Sequence, residues 1–130
     1  MEPTDLTKRT GSNRERVTAT APLLPERVVR TIAEVKQLLR ARFGHRLDSI
    51  TLFGSWAWGR PHGESDIDVC IVIDGLTHQE HVEVVELIVD RGILCGVDLS
   101  PLVWSRERLL LGLATEQRLM RDVVERGIAL

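Results

Sequence analysis

The sequence predicts a small α/β domain, a mixed β-sheet packed with helices. Three observations carry this expectation. Apolar residues recur at helical spacing in stretches that begin near Pro25, Thr77 and Ser105. Between them lie short apolar and β-branched runs, Leu47–Phe53, about Asp66–Ile73 and Val97–Val103, which read as strands. At 130 residues the chain is expected to hold one core and one domain.

Each element has a local reason. Residues 1–20 are polar, rich in Thr, Arg and Ser, and lack apolar periodicity, so a flexible leader is expected before a domain over residues 21–130. Pro25 suits the first turn of a helix and Glu26 its positive end. Val28, Ile32, Val35 and Leu39 share one face, and Gly44 stops the helix. Leu47–Phe53 is the first strand, Gly54 to Ser65 a loop, and Asp66–Ile73 the second strand. Asp74-Gly75 marks a turn, and Thr77 with Glu80 forms a capping box for a helix with Val82, Val85 and Val89 on its apolar side. Gly92 or Gly96 ends that helix. Pro101 argues that Val97–Val103 is an edge strand or bulged. Ser105 caps a last helix that presents Leu109, Leu113, Met120 and Val124. The expected order is helix, strand, strand, helix, strand, helix, without internal repeats.

Composition narrows the function classes. The chain is 43% hydrophobic and 28% charged with a net charge of −2, so no direct nucleic-acid or acidic-membrane binding is expected. No apolar run approaches the ~20 residues of a membrane helix. With no signal-peptide pattern at the N-terminus, a cytoplasmic location is expected. Cys70 and Cys95 sit among apolar residues and read as reduced, buried thiols.

The chemistry concentrates in FGSWAWGRPHGESDIDVCIVI, Phe53 to Ile73. Side chains two apart on a strand share a face, so Asp66 and Asp68 project together while Ile67 and Val69 point into apolar packing. Burying two carboxylates side by side is costly unless a cation offsets them. Oxygen donors on a rigid strand suit Mg²⁺, which takes ligands at about 2.0–2.1 Å. Asp98 interrupts another apolar run; if its strand lies beside the first, three carboxylates converge. Such a set can hold two ions about 3.5–4 Å apart for in-line displacement at phosphorus. Upstream, Gly54 lets backbone N–H groups approach a phosphate and Ser55 adds a hydroxyl donor. Together these residues suit a metal-bound nucleoside triphosphate.

Gly54-Ser55, ten intervening residues, then Asp66-Ile67-Asp68 resembles the signature of the DNA polymerase beta-like nucleotidyltransferase superfamily, in particular its minimal branch. The likeness runs from about Pro25 to Leu130 and includes Ser65 and Asp98. It implies the corresponding fold, with Gly54 and Ser55 binding the triphosphate, Asp66 and Asp68 binding metal, and Asp98 serving as metal ligand or base. It also implies transfer of AMP from ATP onto a hydroxyl. Members of the minimal branch often act as antitoxins that add AMP to a tyrosine of a HEPN-domain ribonuclease toxin, which makes such a toxin the expected partner. One departure stands out. The family often reads Gly-Ser-x-Ala-Arg-Gly, whereas this chain reads Gly54-Ser55-Trp56-Ala57-Trp58-Gly59. Arg60 is the expected substitute cation, two positions on.

Other readings stay open from sequence. Asp66 and Asp68 could be a solvated strand start, Asp98 a strand-start residue, and Gly54-Ser55 a plain turn. Trp56 and Trp58 could stack on a base, but at least one is expected to pack on the core. His62 reads as a solvent-exposed loop residue, and His78 and His81 as an exposed pair rather than metal ligands. For the whole chain, the alternatives are a binding module that neutralises a partner by occlusion, or a dimeric small-molecule (antibiotic-type) nucleotidyltransferase, that is, a homo-oligomer.

Overall fold

The computed structural model describes residues 24–58 and 66–130; the expected leader, together with Gly59, Arg60, His62 and Ser65, lies outside them. The first helix, α1, spans Glu26–Phe43 and buries Val28, Ile32, Val35 and Leu39, the stripe that the spacing predicts, together with Phe43. A 3-10 turn over Gly44–Arg46 leads into strand β1, Leu47–Phe53. Strand β2, Ile67–Ile73, runs antiparallel to it with Ile50 opposite Ile71 and Phe53 opposite Asp68.

Helix α2, His78–Cys95, then carries the chain back so that β3, Leu99–Ser105, lies parallel to β2. The capping box forms as expected: the Glu80 amide donates to the Thr77 hydroxyl at 3.1 Å, and the Thr77 amide donates to the Glu80 carboxylate at 3.0 Å. The fully buried stripe of α2 is Val84, Ile88 and Gly92; of the expected Val82, Val85 and Val89, Val85 packs half-buried on the core and Val82 is 42% exposed. Valines stand on neighbouring rows of this helix, and periodicity alone does not choose between them. Packing against both α1 and β3 does. Gly96 ends the helix, while Gly92 lies within it.

The last helix is two helices. Helix α3, Arg106–Ala114, starts at the Ser105 cap, whose hydroxyl accepts from the Arg108 amide at 3.0 Å. The chain breaks at Glu116, with φ 59, and helix α4, Arg118–Arg126, packs back on α3. A Cβ on Gly112 would run into the Met120 side chain, so this close approach requires glycine. Val123 is buried on α4 in place of the expected Val124. A fourth strand, β4, Ile128–Ala129, then adds to the free edge of β1. Two residues are too few to show a period, and the sequence reading has only three strands.

The sheet order is β3-β2-β1-β4, which puts Pro101 on an edge strand. Alternation along β2 divides the core. Ile67, Val69, Ile71 and Ile73 pack with α1 and α2, whereas Cys70 and Val72 pack with Trp104, Met120 and Val123. Burial pushes the Cys70 thiol up to about 12, consistent with an inert core residue.

An ion pair ties the start of β1 to the α2 cap. The Arg46 guanidinium donates to Glu80 at 2.7 and 3.0 Å, and with the Thr77 amide it holds the Glu80 carboxyl down at about 2, from an ordinary 4.5. A depressed carboxyl stabilises the fold above its unfolded value and loses that stability as pH falls toward its folded value. The melting-temperature gap between wild type and Arg46→Gln should therefore be full at neutral pH and shrink between about pH 4.5 and 2. Circular dichroism melts across that range check this; a gap that does not change with pH would contradict it.

Candidate functional site

Every residue of β2 is buried except Asp68, which is half-buried. It opposes Phe53 on β1 and Ser100 on β3, so it stands where the central strand emerges from its packing. Burial raises its pKa first, the Asp66 charge raises it further, and a hydrogen bond with Ser100 pulls it back. Ser100 is a site residue that the sequence does not single out; it is placed here by the parallel register that sets it opposite Asp68.

Asp66 and Asp98 are exposed and lie just before their strands rather than within them. Parallel pairing of Ile67 with Leu99 sets the residues before them side by side. The Ile67 amide donates to the Asp98 carbonyl at 2.9 Å, the first link between the two strands. The side chains meet as well. A carboxyl–carboxyl hydrogen bond with Asp98 pushes the Asp66 pKa above its ordinary range, and the Asp98 charge and burial push the same way. Adjacency of the two strands, on which convergence of the three aspartates depends, is thus present.

Gly54 closes the other side. With φ +77, it ends β1 in the left-handed region, and a Cβ built there would strike the Asp68 carboxylate, reaching its Cγ at 3.0 Å. The chain then makes a single turn in which the Trp58 amide donates to the Gly54 carbonyl at 3.1 Å. Ser55 and Trp56 are half-buried in it, and Trp56 packs on the core as expected for one of the two tryptophans. Trp58 is 39% exposed, and its ring carries the Arg126 guanidinium at 4.1 Å from the centroid. Arg126 has no signal in the local sequence; its placement follows from α4 and β4. The other expected cation, Arg60, lies outside the described residues.

The donor set is all oxygen and suits a hard cation such as Mg²⁺. A divalent cation would offset the mutual charge of two carboxyls set this close. Among the described residues, no group of three His, Cys, Asp or Glu side chains is gathered tightly enough to hold a metal ion. Mg²⁺ sites in general take only one or two carboxylates from the protein and complete the shell with water and substrate phosphates. An open cleft of 440 Å³ lies at the rim, lined by Arg27, Val28, Trp56, Ile67, Val97 and Asp98. His78 and His81 lie elsewhere, their rings 6.4 Å apart along α2. No helix among the described residues is long and apolar enough to cross a membrane.

Comparisons with known proteins bear on the fold and the family. A protein of Methanocaldococcus jannaschii named "Putative protein adenylyltransferase MJ1379" is 35% identical over 65 residues, which cover 46% of this chain and 65% of that protein. A crystal structure of a "putative nucleotidyltransferase" from Sulfolobus solfataricus is similar in fold, with a TM-score of 0.50 and 21% identity over 77% of this chain and 76% of that one. The family pattern described as "Nucleotidyltransferase domain" matches residues 32–128. That stretch takes in the Gly54 turn and all three aspartates, and on its extent the chain belongs to the nucleotidyltransferase domain family.

Proposed function

We propose that this chain transfers AMP from ATP to a hydroxyl of a partner protein, with Mg²⁺ as its cofactor. The observation that carries the reading is the strand contact that sets Asp66 against Asp98, with Asp68 and the Gly54 turn adjoining. In this reading the turn and the Ser55 hydroxyl receive the triphosphate, Arg60 adds a cation from the loop, and Asp66, Asp68 and Asp98 hold Mg²⁺. When bound, Mg²⁺ would offset the charge that develops on the phosphates. If Asp98 acts as base and not as ligand, it accepts the proton of the incoming hydroxyl from the rim of the open cleft. The acceptor oxygen bonds to the α-phosphorus as the bond to the bridging oxygen breaks, and pyrophosphate leaves.

A protein acceptor is supported by the name of the archaeal relative, of which the match covers 65%. The chain has no tyrosine, so a tyrosine acceptor would have to belong to another protein. The partner we favour is a HEPN-domain ribonuclease toxin, which makes this chain an antitoxin. Labelled ATP, Mg²⁺ and the candidate toxin, incubated with the chain, should yield labelled toxin, and Asp66→Ala should lose the transfer. Equal labelling by Asp66→Ala, or none by wild type, would remove the proposal. Neutralisation that survives in Asp66→Asn with Asp68→Asn would point instead to occlusion.

A further inference from the structure

We propose that Arg126 is a phosphate-binding residue of this site, held on the Trp58 indole beside the Gly54 turn to receive the outer phosphates of the nucleotide. The inference rests on the nucleotide-binding reading above and assigns to it a residue from the far end of the domain.

The placement has two independent supports. From one side, the Trp58 amide closes the turn on the Gly54 carbonyl, so the indole is part of that turn. From the other, β4 pairs antiparallel to β1 with Ile128 opposite Leu52. Gly127 packs so closely on β1 that an added Cβ would meet the Leu52 carbonyl at 3.2 Å. Arg126, one residue earlier, therefore lies at the end of β1 where Gly54 begins the turn. Helix α4 itself packs on the sheet face of Cys70 and Val72, which alternation makes the face of Asp68.

The chemistry suits an anion. Arg30, Arg42, Arg46, Arg91 and Arg121 each engage a carboxylate. Among the described residues Arg126, like Arg27, Arg40, Arg108 and Arg118, has no such partner, and of these it is the one stacked on an aromatic face. Stacking fixes the plane of a guanidinium without neutralising it, and its N–H edge stays available for a bidentate contact with phosphate oxygens. A triphosphate placed among three aspartates needs such a cation. The indole also lowers the entropy that a long, exposed side chain would lose on binding.

Titration calorimetry with inorganic tripolyphosphate, Mg-ATP and adenosine tests the assignment. Arg126→Gln should weaken tripolyphosphate and ATP binding about tenfold or more and leave adenosine binding unchanged, the loss expected for one charge-assisted contact. Arg126→Lys should recover part of it. Trp58→Leu, which keeps the cation and removes its perch, should give an intermediate loss. Arg126→Gln that binds tripolyphosphate as tightly as wild type, with wild type binding normally, overturns the role of Arg126 alone. Wild type that binds neither ATP nor tripolyphosphate overturns the nucleotide reading and this inference with it. A large drop in melting temperature with unchanged affinity assigns Arg126 to the end of α4 as a structural cap instead.

Discussion

Gly54→Ala should lose nucleotide binding and melt at a clearly lower temperature than wild type. Two effects add at this position. An alanine held at φ +77 costs on the order of 1–2 kcal/mol in backbone strain. The new methyl must also displace the Asp68 carboxylate, and forcing a group into a filled space costs about 1–3 kcal/mol more. Asp68 cannot retreat far, because the rest of β2 is buried on both faces. Relief must come from the turn, which would carry Ser55 out of place. Thermal melts together with ATP titration check this. A variant that melts as wild type and binds ATP normally would show that the contact between turn and strand is dispensable.

Asp98→Asn should have the opposite effect on stability and an equally large effect on function. Removing the Asp98 carboxyl takes away the hydrogen bond and the charge that together hold the Asp66 pKa up and make its ionisation at neutral pH unfavourable, so the protein without Mg²⁺ should be at least as stable as wild type. Transfer of AMP should fall by a factor of about 100 or more, the scale of several kcal/mol lost from the transition state. Stabilisation by added Mg²⁺ should shrink as well. Melts with and without Mg²⁺, beside a transfer assay, give the three readings. Asp98→Asn that is less stable without Mg²⁺ would mean that the carboxylate supports the fold and is not in tension with it.

Much of this was legible in the sequence because the signals are local. Leu47–Phe53 has the predicted bounds, and the capping box of Thr77 and Glu80 forms from residues three apart. The alternation that puts Asp68 on the face of Cys70 and Val72 needs no tertiary information, whereas Asp66 lies one residue outside the strand expected to carry it. Asp98 was conditional, since its meeting with Asp66 depends on which strands pair, and pairing is set by α2 as a crossover. The break at Glu116 could not be read, because no glycine or proline marks it; the docking of Met120 on Gly112 decides it. With that break missed, α4 and β4 were missed too, and so was the position of Arg126 beside the turn.

The link between the Ile67 amide and the Asp98 carbonyl has a consequence for how the domain breathes. It is the first rung of the β2–β3 ladder, and directly beside it stands the Asp66 carboxyl, whose pKa the Asp98 carboxyl raises by hydrogen bond and by charge. Ile67 and Leu99, both buried, hold the strand ends together from within. A cation bound to the carboxyls would offset their charge at this rung and favour the closed ladder. Exchange of the Ile67 amide with solvent would then follow occupancy of the site, and the backbone of the central strand would register whether it is filled.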